Sequence, residues 1–149
     1  MSTTYTDINK TTEESVGFLR TISRLLAHLE EPYLVGGFLR DVLCGRATRD
    51  VDIVVEEDAI SIARQMALDL DASLVILDES RRIARVIVGQ KSNITGSYKE
   101  DWHIDLASLQ GGLYNDLSRR DFTIDAMAVP LRAYLKGDWF SDLVDPFGG

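Results

Sequence analysis

Asp50 and Asp52 stand two residues apart in RDVDIVV, a run that reads as a β-strand. A strand has period two, so these two acids share a face while Val51, Ile53 and Val55 take the other. Two unit charges about 4 Å apart repel by roughly 4 kcal/mol at an effective dielectric near 20. A fold that lines them up at a strand edge usually has a cation to put between them. Such oxygen ligands suit Mg²⁺, which keeps coordination positions for water and substrate phosphates. Asp105, on the outward face of a later strand, is a candidate third carboxylate. Two ions held by such acids can activate an attacking hydroxyl and stabilise a leaving pyrophosphate. Upstream, Gly36-Gly37 breaks the apolar run YLV where a helix should begin. A glycine pair there lets backbone N–H groups approach an anion at the positive end of the helix. Arg40, one turn later, can fork onto a phosphate oxygen. Taken singly, a glycine pair at a strand–helix junction is a tight turn, and an acid at a strand end is a solvated one. Taken in order, the glycine pair, Arg40-Asp41 and then Asp50 and Asp52 match what handling a nucleoside triphosphate requires.

Asp116, Arg120 and Asp121 form a second polar cluster in DLSRRDFTIDAMA. Arg120 is placed to reach a triphosphate or a ribose, and the plainer reading is a salt-bridged turn. His103 neighbours the acidic face, but hard Mg²⁺ prefers oxygen, so it reads as a surface or hydrogen-bonded histidine. His28 has no evident partner. The single cysteine, Cys44, reads as a buried bystander on a short helix.

The elements that must carry these residues follow from periodicity. Thr11 and Glu14 suggest a capping box, and Val16, Leu19, Ile22, Leu26 and Leu29 recur at helical spacing, predicting a helix over Glu13 to Leu29. Pro32 prevents its continuation. Strands are expected at Tyr33 to Val35, Arg49 to Val55, Ser73 to Leu77, Ile83 to Val88 and Trp102 to Ala107. The third and fourth form a hairpin around the charged DESRR. Helices are expected at Phe38 to Leu43, after an Asp58 cap, and, as a short helix or turn, at Leu113 to Ser118. Phe122 to Val129 fits either strand or helix. Gly89 to Lys99 reads as a polar, mobile loop, and residues 1–10 as a mobile tail before a domain over 11–149. The hairpin interrupts any βαβ rhythm, which favours an α+β fold with a mixed sheet over a doubly wound one.

Composition narrows the classes. The chain has 149 residues, 45% of them hydrophobic, enough for one domain with a proper core. No apolar run is long enough to cross a bilayer, and the N-terminus lacks a secretory pattern. One cysteine cannot form an intrachain disulfide, which fits a reducing, cytoplasmic setting. A net charge of −8 argues against this domain alone gripping a nucleic-acid backbone, since that grip comes from clustered Lys and Arg. It leaves open an enzyme that acts on nucleic acid with basic surface supplied elsewhere.

The pattern GGxxRD, then R-D-x-D, a strand ending near Asp105, and D-L-x-x-R-D-F-T resembles the head domain of class II tRNA nucleotidyltransferases (CCA-adding enzymes) and bacterial poly(A) polymerases, within the polymerase-beta-like nucleotidyltransferase superfamily. The resemblance runs from about Tyr33 to the end of the chain. It implies a small, mixed, mainly antiparallel sheet backed by helices. It also implies transfer of a nucleoside monophosphate from ATP or CTP onto an RNA 3′ hydroxyl, with two Mg²⁺ ions and release of pyrophosphate; tRNA is the expected RNA. Carried over by position, Gly36, Gly37 and Arg40 would hold the triphosphate, Asp50 and Asp52 would bind metal, and Asp116 and Arg120 would contact the ribose or phosphates. The segment Gly89 to Lys99 falls where that family has a flexible loop. The family usually has Asn where this chain has Asp125, and an acid cannot donate a hydrogen bond as an amide can. The family also continues into neck, body and tail domains after the D-P-x-G-G turn, so the chain is expected to be an excised head or a remnant of one, inactive or weakly active alone. Two other readings are a small-molecule or protein nucleotidyltransferase, although those usually open with G-S, and a non-catalytic nucleotide- or metal-binding domain.

Overall fold

The computed structural model describes residues 5–89, 101–137 and 139–149. Six strands form one sheet: β1 (Tyr33–Val35), β2 (Asp50–Val55), β3 (Ser73–Asp78), β4 (Ile83–Val88), β5 (Trp102–Ser108) and β6 (Ala128–Pro130). Their order is β3-β4-β5-β2-β1-β6. Only the β2–β5 pair is parallel; the other four are antiparallel. The fold is therefore α+β with a mixed, mainly antiparallel sheet, and β3 and β4 form the hairpin that the sequence predicts. The helices are α1 (Tyr5–Leu25), α2 (Gly37–Leu43), α3 (Ala59–Leu70), α4 (Leu113–Ser118) and α5 (Leu131–Leu135).

Alternation sorts each strand into a core face and an open face. Leu34, Val51, Ile53, Ala84, Val86, Ile104 and Leu106 are buried against α1, α2 and α3, which supply Phe18, Leu19, Ile22, Phe38, Leu39, Ala63, Met66 and Leu70. The rings of Phe18 and Trp102 stack at 4.3 Å, pinning α1 to β5. A smaller cluster of Val35, Val54, Leu117, Ala126 and Ala128 covers part of the opposite face. The rest of that face carries the polar residues of β2, β4 and β5.

Several local expectations are corrected. The first helix begins at Tyr5, so Thr11 lies inside it rather than at its start; Glu14 accepts from Arg49 Nη2 at 3.1 Å. Of the expected tail, Tyr5 to Lys10 are helical, and residues 1–4 lie outside the described residues. α1 ends at Leu25, four residues short of Leu29. Leu26 keeps an i→i−4 bond, while Ala27 and Leu29 bond i→i−3, the tightening that closes a helix. Cys44 is exposed rather than buried, because α2 stops at Leu43 and Gly45, at φ +68°, turns the chain outward. Phe122 to Val129 is neither a strand nor a helix throughout: Thr123–Asp125 is a 3₁₀ turn that leads into β6. The proposed loop at Gly89 to Lys99 falls, but for Gly89, outside the described residues. No described helix is long and apolar enough to cross a membrane.

α3 starts as expected. Asp58 accepts from the Ile60 N–H, and Ser108 adds a link that the sequence does not announce. Its Oγ accepts from the Ala59 N–H at 2.9 Å and donates to the Glu57 carbonyl at 2.8 Å, tying the end of β5 to the start of α3. Ser108→Ala leaves one buried donor without its acceptor, and unfolding free energy measured in urea should fall by about 1–2 kcal/mol.

Candidate active site

The β2–β5 pairing assembles the site. In this parallel register Asp50 lies opposite His103 and Asp52 opposite Asp105. Neighbouring strands are about 4.8 Å apart, so Asp52 and Asp105 present carboxylates side by side on the open face. The three acids expected to lie together do share one surface. They are not equivalent, however. The Asp50 side chain is 79% exposed, with His103 Nδ1 at 3.4 Å from its Oδ1. Asp105 is held by Arg85 in a bidentate pair, Nε to Oδ1 at 2.7 Å and Nη2 to Oδ2 at 3.0 Å. Asp52 has no such partner among the described residues. Its pKa is pushed up from 3.8 to about 6, first by burial, then by the charges of Asp105 and Asp50, against opposing pulls from Arg120 and Arg85.

The diglycine lies against this acid. Gly36 has φ +66° and ψ −133°, a conformation that side chains avoid. A Cβ built there would sit 3.0 Å from Arg120 Nη1 and 3.7 Å from Asp52 Oδ2. A Cβ on Gly37 would sit 3.3 Å from Arg40 Nη2 and 3.8 Å from Asp52 Oδ2. Both glycines thus keep the backbone close to one carboxylate and two guanidinium groups. The Gly36 N–H donates to the Met127 carbonyl at 3.3 Å, so it is already engaged.

Beside the diglycine an open cleft of about 440 Å³ is lined by Gly37, Arg40, Arg119, Arg120, Asp121, Phe122 and Asp125. Asp116, on α4, holds two of these arginines: Oδ1 lies 3.4 Å from Arg119 Nη2, and Oδ2 lies 3.3 Å from Arg120 Nη2. The salt-bridged turn is real, and it serves to aim cations into the cleft. Arg120 Nε is buried, with no hydrogen-bond partner among the described residues. Arg40 donates to Asp125 at 2.9 Å and to Asp41 at 3.3 Å. Sequence reasoning overlooked Arg85, Arg119 and Phe122. Arg85 had a signal, as the only charge in the strand IARVIV, on the face opposite Ala84, Val86 and Val88.

A carboxylate driven up to about 6 by burial and neighbouring acids marks a site short of positive charge, and its oxygen donors fit a hard divalent cation. Neither Asp50 nor Asp52 is paired with an arginine among the described residues, whereas Asp105 is engaged by Arg85. Among the described residues no three acid, histidine or cysteine side chains converge tightly enough to hold an ion unaided. Mg²⁺ needs only one or two protein carboxylates when substrate phosphates complete its shell. Replacing Arg85 with Met should leave Asp105 uncompensated and push Asp52 further up. Carboxyl ¹³C titration of Asp52 reads that shift, and an unmoved titration would mean the two acids do not sense each other.

Comparison with known proteins covers the same stretch of chain. A family model described as "Poly A polymerase head domain" matches residues 32–149. A CC-adding tRNA nucleotidyltransferase of Geobacter sulfurreducens is 38% identical over 118 residues, covering 78% of this chain and 24% of the relative. An A-adding tRNA nucleotidyltransferase of the same organism is 34% identical over 141 residues, covering 90% of this chain and 15% of the relative. A solved tRNA nucleotidyltransferase complexed with a primer tRNA and an incoming ATP analogue superposes with a TM-score of 0.59 at 29% identity, covering 90% of this chain and 35% of that one. The chain thus spans well under half the length of each of these proteins.

Proposed function

The chain belongs to the poly(A) polymerase head-domain family, and on that premise we propose that it is the catalytic head of a template-independent RNA 3′-end nucleotidyltransferase. It would transfer AMP or CMP from a nucleoside triphosphate to an RNA 3′ hydroxyl, tRNA being the favoured acceptor, and release pyrophosphate. The observation that carries this reading is the arrangement of the desolvated Asp52 beside Gly36-Gly37, with Arg40 and Arg120 a short step away.

Each residue then has a task. Gly36 and Gly37 leave the α- and β-phosphates room against the backbone. Arg40 and Arg120 offer guanidinium groups to the phosphates, where charge grows as pyrophosphate departs. Asp116 holds Arg120 in place. Asp50 and Asp52 would hold Mg²⁺, two ions in the expected arrangement, which when bound lowers the pKa of the attacking hydroxyl and screens the phosphates. Arg85 keeps Asp105 from adding an uncompensated charge beside Asp52. Most of the rate gain in such a transfer comes from positioning and electrostatics.

The net charge of −8 leaves the grip on RNA to surface outside this chain. The direct test is incorporation of labelled AMP or CMP into tRNA by a protein carrying this chain, with aminoglycoside and protein acceptors tried in parallel. Label on the RNA 3′ end supports the reading. Label only on the other acceptors would replace it with the small-molecule or protein reading, and Mg²⁺-ATP binding without any transfer would leave a nucleotide-binding domain.

A further inference from the structure

Arg40, the cation nearest Gly37, is already occupied by acids of its own chain. Asp41 reaches its Nε from the adjacent position, and Asp125 reaches its Nη1 from 85 residues away. The two acids differ in place: Asp125 lines the cleft together with Arg40, Arg119 and Arg120, whereas Asp41 does not. A carboxylate oxygen and a phosphate oxygen make the same charge-assisted bond to the same N–H. Arg40 has five N–H donors, so the two anions compete for its single positive charge rather than for one hydrogen. The pair is also partly solvated, with the Arg40 and Asp125 side chains 35% and 26% exposed, so an arriving anion can exchange for it. An Asp125 displaced from Arg40 would remain in a cleft that is filling with negative charge, and repel it.

We infer that Asp125 sets the affinity of this cleft for polyphosphate: its carboxylate is the counter-anion with which an incoming nucleotide phosphate competes for the charge of Arg40. The inference rests on the reading of this cleft as the triphosphate site. It makes Asp125 a selectivity residue. Ligands that bring enough charge to win Arg40, such as a triphosphate, are accepted, and weaker anions are turned away. The contrary role, Asp125 orienting Arg40 toward the phosphate, predicts instead that removing its charge weakens binding.

Calorimetry separates the two. Inorganic tripolyphosphate and a non-hydrolysable ATP analogue are titrated into the wild-type chain, Asp125→Asn and Asp125→Ala, with melting curves recorded for each. The Asn variant keeps the size and an acceptor oxygen but loses the charge. Both ligands should bind Asp125→Asn about tenfold more tightly than wild type, and Asp125→Ala at least as tightly as wild type. A gain of affinity does not arise from misfolding. Unchanged or weaker binding to Asp125→Asn, with binding to wild type intact, overturns the inference and leaves the nucleotide site standing. If none of the three proteins binds either ligand, the cleft is not a triphosphate site, and the inference falls with it.

Discussion

Asp52→Asn should abolish nucleotide transfer and at the same time make the protein harder to unfold. The Asp52 carboxyl titrates at about 6 in the folded chain, against 3.8 as its ordinary value. A raised pKa means that the folded state holds the proton more tightly than the unfolded state. The contribution of Asp52 to stability is therefore most favourable below about pH 4, declines as pH rises through about 6, and stays reduced above that. A shift of roughly two units corresponds to a penalty on the order of 1–3 kcal/mol at pH 7–8. Asparagine has no charge to bury, so the variant should lose that penalty, and its Tm should exceed the wild-type value at pH 8 and converge with it near pH 4. Transfer of AMP or CMP by a protein carrying the variant should fall on the order of 10³-fold, because a ligand oxygen and its charge are gone from where the developing charge must be balanced. Mg²⁺ should raise the wild-type Tm and leave that of the variant nearly unmoved. A variant that transfers nucleotide at the parental rate would end the assignment of Asp52. A variant that loses stability at pH 8 would instead mean that the carboxylate is adequately compensated.

Gly36→Ala should damage the fold and the site together. At φ +66° and ψ −133° an L-residue is strained by about 1–3 kcal/mol before any contact is counted. The new methyl also meets Arg120 Nη1 at 3.0 Å. That nitrogen is the far end of a flexible side chain, but Asp116 holds its neighbour Nη2 at 3.3 Å, so a shift costs the ion pair as well. Chemical denaturation should register the strain, and binding of a non-hydrolysable ATP analogue should weaken at least tenfold as Arg120 moves. Gly37→Ala is the internal control. Gly37 has no positive φ, and its nearest clash, with Arg40 Nη2, is at 3.3 Å. It should therefore lose affinity with little loss of stability. Equal stability for Gly36→Ala and wild type would show that the junction relaxes freely.

Much of this molecule could be read from its sequence, for identifiable reasons. The face of Asp50 and Asp52 follows from strand period alone, and the buried Val51 and Ile53 answer it on the other side. The hairpin was legible because two β-rich runs flank DESRR, and the α3 start because Asp58 precedes an apolar stripe. The ends of α1 were not legible, since nothing between Tyr5 and Lys10 forbids a helix and no glycine marks its close. Cys44 was misplaced because burial was inferred from neighbours in sequence, while the turn at Gly45 sends it outward. The parallel register that sets Asp52 against Asp105 was beyond reach, as was Arg85, whose importance lies only in what stands across from it on β5. The family pattern singled out candidate residues; the structure adds that Arg40 and Asp105 already have partners.

The central parallel pair joins stretches about fifty residues apart, and the Arg40–Asp125 contact joins stretches 85 apart. No short piece of the polypeptide therefore carries the whole binding site. Anything that recognises this pocket recognises only chains whose sheet is complete, and by mass action it shifts the population toward them. A nucleotide bound as proposed would then hold the molecule in its assembled form against opening.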